Sequence, residues 1–179
     1  VMQYGITNGP TNAVLNVTMD RGDQLHTESG AMMTRSPAIE VETSVGGDEG
    51  VSGMVKRVVS DERSLSENAF TATAGDVTMQ LVPDHTGDIM EIDISETGGI
   101  NVQSGSVFAW EPSVSHSTGL NKLQNMFSSG ELTVLSLSGQ GCAFLSAHGS
   151  VSERSITPGE PLIVDEDHLI AWTDGLDLS

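Results

Sequence analysis

A chain of 179 residues has room for one domain of ordinary size and can bury enough surface to fold without disulfides or metal. Its single cysteine, Cys142, excludes an internal disulfide framework and a multi-cysteine zinc site. With 25 acidic against 7 basic side chains, the net charge of −18 argues against nucleic acid or anionic lipid as main partner.

Alternation of apolar and polar residues dominates the chain, and it begins early. Ala13, Leu15, Val17 and Met19 alternate with Val14, Asn16 and Thr18, and the run stops at Asp20-Arg21-Gly22-Asp23. Ile39, Val41 and Thr43 form a second such run with Glu40, Glu42 and Ser44 between and after them. Val51, Met54, Val55, Val58 and Val59 break the rhythm, because their spacing is one stripe of a short helix. Strand patterns return at Val77, Met79 and Leu81, ended by Pro83, and at Met90, Ile92 and Ile94 through Ser95. Leu120, Leu123 and Phe127 make a second helical stripe. From Leu132 to Ser152 the chain is uncharged and long enough to span a bilayer. Gly139, Gln140, Gly141 and Gly149 interrupt it and serines alternate with leucines, so it reads as a hairpin rather than a membrane helix. Short strands with glycine turns between them predict an all-β fold, a β-sandwich or roll with two short helices covering sheet edges.

The chain also repeats itself. Gly98-Gly99-Ile100-Asn101-Val102 leads to Val107-Phe108-Ala109-Trp110, and Gly159-Glu160-Pro161-Leu162-Ile163-Val164 leads to Leu169-Ile170-Ala171-Trp172. A fainter copy runs from Gly22-Asp23-Gln24-Leu25 to Gly30-Ala31-Met32-Met33, with methionine in the tryptophan position. Each unit reads as a turn at glycine, a strand, a bend, and a second strand ending in a bulky core side chain. The expected organisation is one β domain over residues 1–179, duplicated internally near 13–45, 89–110 and 151–172. Gly98 and Gly159 are its turn residues, and Trp110 and Trp172 its core plugs.

These segments, with Met54-Val55-Lys56-Arg57, Gly87-Asp88-Ile89, Val102-Gln103-Ser104-Gly105, Leu137-Ser138-Gly139-Gln140-Gly141, Ala143 to Gly149 and Val164 to Trp172, resemble a known family. It is the family named after altered inheritance of mitochondria protein 24, also called domain of unknown function 124. The resemblance covers nearly the whole chain. It implies a fold like that of the tryptophan RNA-binding attenuator protein, related to the double-stranded β-helix, and assembly into rings or trimers. It implies no catalytic residues. Family members usually continue past the Ala-Trp segment into a further strand pair, which this chain is expected to lack, leaving an edge that a neighbour could fill. RNA binding does not follow from the fold name, since no basic stripe or aromatic platform exists to hold it.

Candidate chemistry is sparse. His168 with Asp165, Glu166 and Asp167 looks superficially like a cupin metal site, but Ile170 stands where a second histidine would fall. A transition metal needs three or four convergent ligands. His168, Asp165 and His148 are therefore only weak metal candidates, and the 165–167 acids read more simply as a solvated turn. His148, at the end of an apolar run, reads as a hydrogen-bonded strand-end residue. His26, His85 and His116 fall in turn-like surroundings. Cys142 reads as a buried, inert thiol with no base beside it. Arg21-Gly22-Asp23 and Asn16-Val17-Thr18 match short recognition motifs by coincidence, inside a turn and a strand. No phosphate loop, dinucleotide fingerprint or nucleophile elbow occurs.

Charged residues make up only 18% of the chain, so the imbalance comes from missing bases and coats the whole surface. Such a coat repels itself until salt of about 1 M shortens the Debye length to roughly 3 Å. A salt-rich, halophilic cytoplasm is the expected environment. The expected function is a non-enzymatic β-scaffold without catalytic residues or cofactor, forming a homo-oligomer and binding an unknown protein partner. Two alternatives are a cupin-like, small-molecule or metal-dependent enzyme and a peripheral membrane-support protein; the acidic surface resists the latter.

Overall fold

The computed structural model describes residues 2–44, 67–118, 134–176 and 178. Both expected helices, at 51–59 and 120–127, lie outside the described residues. The first strands in chain order are β1 (Gln3–Thr7), β2 (Val14–Met19), β3 (Gln24–Glu28), β4 (Met32–Arg35) and β5 (Ile39–Ser44). β6 (Glu67–Ala72), β7 (Val77–Leu81) and β8 (Gly87–Asp93) follow, then a single helical turn, α1 (Ile94–Thr97). The rest are β9 (Ile100–Gln103), β10 (Val107–Trp110), β11 (Val114–Thr118), β12 (Val134–Gly139), β13 (Cys142–His148) and β14 (Ala171–Thr173).

They build three antiparallel sheets, ordered β1-β2-β7-β4, β5-β6-β3-β10-β13-β8 and β11-β12-β9-β14. The expected all-β class is what the chain adopts; among the described residues the three sheets are open and none closes into a barrel. Alternation explains the outer sheets. Leu15, Val17 and Met19 of β2 and Val77, Met79 and Leu81 of β7 point into one core with Leu25, Phe70 and Phe144. Ile100 and Val102 of β9 and Leu135 and Leu137 of β12 point into a second core with Trp110 and Leu145. The six-stranded sheet therefore lies between the two cores. On β13, Phe144 enters the first core and its neighbours Ala143 and Leu145 enter the second. A strand covered on both faces needs no polar positions, which is why Val107-Phe108-Ala109-Trp110 and Ala143 to Ala147 are continuously buried.

Three expectations need correction. The uncharged stretch from 132 to 152 is not a hairpin: β12 pairs with β11 and β9, whereas β13 pairs with β10 and β8. The corner between them carries the chain from one sheet to another. Gly139 there has φ +111°, and a Cβ would lie 2.3 Å from the Ser113 carbonyl oxygen, so only glycine fits the crossing. The strand expected through Ser95 ends at Asp93, whose carboxylate accepts the Ser95 N–H at 2.8 Å and caps α1. Gly98, in the left-handed region, closes that turn. Finally, Leu162 to Val164, expected as a strand, belongs to none of the three sheets. Trp110 and Trp172 are both buried, at 5% exposure each, Trp172 beside Val134.

Candidate functional site

The weak metal candidates do not converge. Asp165 accepts the Asp167 N–H at 3.3 Å, capping a short turn (Glu166–His168), and the side chain of His168 is exposed there. His148 is elsewhere, at the end of β13, stacked on His85 with ring centroids 3.9 Å apart. Among the described residues no group of three or more His, Cys, Asp or Glu side chains could hold a metal ion. Nor is any helix among them long and apolar enough to cross a membrane.

What the fold brings together is different. Glu111 directly follows β10, and its carboxylate takes a hydrogen bond from the Tyr4 hydroxyl at 2.5 Å and another from the Cys142 N–H at 3.1 Å. Gly141 leaves the space for it, since a Cβ there would sit 2.1 Å from Oε2. Glu91 is also beside Cys142, accepting from its Sγ at 3.6 Å, and the thiol is half-buried, which corrects the expectation of a buried thiol without a neighbouring base. Burial, then the Glu111 and Glu91 charges, push the Cys142 thiol up to about 12. Burial and Glu111 likewise raise the Tyr4 hydroxyl well above its ordinary value. Both groups are held protonated, as donors and not nucleophiles. An open groove of about 310 Å³ runs past Met2, Asp23, Gln24, Glu111 and Ser113. Glu111 faces it already holding two donors.

Two further clusters were not legible locally. His26 and His116 lie in strands β3 and β11, not in turns, and flank Trp110 at centroid distances of 6.1 and 5.3 Å. His26 Nδ1 also meets the Glu67 carboxylate across the β3–β6 pair. At the other end of β3, Glu28 lines a small cavity with Asp84, Phe108 and Ser146, and burial with the Asp84 charge raises its carboxyl to about 7. Each cluster joins residues distant in sequence, and a lone histidine or glutamate carries no sign of such a partner.

The clearest unsatisfied feature is a surface. From 152 to 165 the chain is exposed throughout, turning once at Gly159, where Glu160 N–H bonds to the Thr157 carbonyl at 3.0 Å. It presents Ile156, Leu162, Ile163 and Val164 to solvent, Ile163 at 97% exposure. Met32 and Met33, on the edge strand β4, are exposed as well, at 41% and 46%.

No curated protein matches the chain. Among solved structures, protein SPYM3_0169 from Streptococcus pyogenes superposes with a TM-score of 0.75 at 20% identity. The match covers 99% of this chain and 78% of that one, a likeness of fold. The family model described as Mitochondrial biogenesis AIM24 matches residues 4–179. With that model running along almost its whole length, the chain belongs to the Mitochondrial biogenesis AIM24 family.

Proposed function

We propose that this protein is a non-enzymatic β-scaffold that self-associates and presents its assembled surface to a partner protein, in a salt-rich cytoplasm. One observation carries the reading: the exposed segment 152–165 holds Ile156 and the run Leu162-Ile163-Val164 in solvent, outside sheets whose edge strands have no further partner among the described residues. Exposed apolar residues in a row with unpaired backbone are a liability that native proteins cover. The half-buried titratable groups support the same view: Tyr4 and Cys142 are held in their neutral forms. The charge of −18 makes the association salt-dependent, since like-charged copies approach only when their repulsion is screened. Light scattering between about 0.1 M and 1 M salt tests this, with Debye lengths of about 10 and 3 Å. An oligomer that strengthens with salt is expected. A single-chain mass at every salt concentration would refute the reading.

A further inference from the structure

The repeat read in the sequence has a pairing rule in three dimensions. The strand after the first copy's glycine, β3, pairs with the second copy's Ala-Trp strand, β10: Thr27 opposite Ala109 and His26 opposite Trp110. The strand after the second copy's glycine, β9, pairs in the same antiparallel sense with the third copy's Ala-Trp strand, β14: Val102 opposite Ala171 and Asn101 opposite Trp172. Each copy thus receives the end strand of the next. Two members are left over. The third copy's own glycine strand, Leu162 to Val164, has no sheet partner among the described residues. The first copy's end strand, β4, carrying Ala31-Met32-Met33, has β7 on one side and none on the other among the described residues.

We infer that these two leftovers pair with each other between molecules: the 160–165 segment of one copy adds to β4 of a second copy, head to tail. This rests on the scaffold reading above and names the contact that builds it. A second copy is the occupant because the missing partner on each side is the other's repeat equivalent. The register follows from the observed pairs. His26 stands four residues after Gly22 and Asn101 three after Gly98, so Met32 faces Leu162 or Ile163 three or four residues after Gly159. That pairing covers Met32, Met33, Leu162, Ile163 and Val164, five of the exposed large apolar side chains. In the Ile163 register it also brings Glu160 level with Arg35, whose guanidinium donates to the Ile39 carbonyl and meets no carboxylate among the described residues. Pro161 opens the added strand, a position that tolerates its missing N–H. Each molecule offers one segment and one edge, so the contact is heterologous and propagates into a ring or filament.

Ile163→Glu and Met33→Glu test it, each checked for wild-type circular dichroism; both side chains are exposed, so folding is spared. In molar salt, wild type is expected to be oligomeric and each variant to run as one chain of 18.8 kDa. An equal mixture of the two is expected to form a dimer and nothing larger, because only one intact segment–edge contact can form. Wild type and both variants sharing one oligomeric mass would overturn this contact and leave the scaffold reading standing. A monomeric wild type would overturn both. In the Met32→Cys, Ile163→Cys double variant, whose two positions are opposed in the Ile163 register, a disulfide within single chains would also overturn it, whereas one that links chains supports it.

Discussion

Glu28→Gln should stabilise the protein, and only above a definite pH. Glu28 ends β3, stands across from Glu67 in the β3–β6 register, and shares its cavity with Asp84. Burial, then Asp84, lifts its carboxyl from 4.5 to about 7. The folded chain therefore holds this proton more tightly than the unfolded chain does. The favourable contribution is complete below about 4.5, where both states are protonated, and it is lost as pH rises through about 7. Were the site dry, that rise would be worth about 3 kcal/mol at ~1.4 kcal/mol per tenfold change in proton affinity. Glu28 is only half-buried, so water screens it, and about 1–2 kcal/mol is the expected figure. Glutamine keeps the shape without the charge. Urea unfolding of both proteins from pH 4.5 to 8.5 should show a growing advantage for the variant, levelling off above neutrality. Most of it should survive molar salt, since burial rather than Asp84 is the larger cause. A variant equally or less stable at pH 8.5, or one whose advantage ignores pH, would refute the argument.

The Cys142 thiol, at about 12, leaves about 10⁻⁴ of its population ionised at pH 8. Its reaction with a disulfide reagent should be slow in the folded protein and rise sharply in denaturant; equal rates would contradict the burial of the group. Phe144 is fully buried in the first core with Tyr4 edge-on at 4.8 Å, so Phe144→Ala should cost about 3–5 kcal/mol in urea titration. A loss under about 1 kcal/mol would mean the site is not packed as described.

Much of the strand content was legible because period-two patterns are local. Leu15, Val17 and Met19 or Val77, Met79 and Leu81 state which face is buried without any reference to their partners. The same rule misread β12 and β13. Two strands separated by Gly139-Gln140-Gly141 look like a hairpin, and which sheet each joins depends on the positive φ of Gly139 and on strands far away. Trp110 and Trp172 announced themselves as core residues by bulk alone, yet the histidines flanking Trp110 and the partner strands of both did not. The polar clusters were invisible for the same reason: Tyr4 and Glu111 meet across most of the chain, and nothing near either residue marks the other.

Composition, charge and alternation by themselves established an acidic, all-β chain, because those properties are carried by residues close together. Only the tertiary structure decided that the described residues form three sheets around two main cores, that Glu111 is held by Tyr4 and Cys142, and that the 162–164 segment lies outside every sheet among the described residues. Those outcomes depend on which distant segments compete for the same edge, and that competition is settled by packing in space, not by neighbours in the chain.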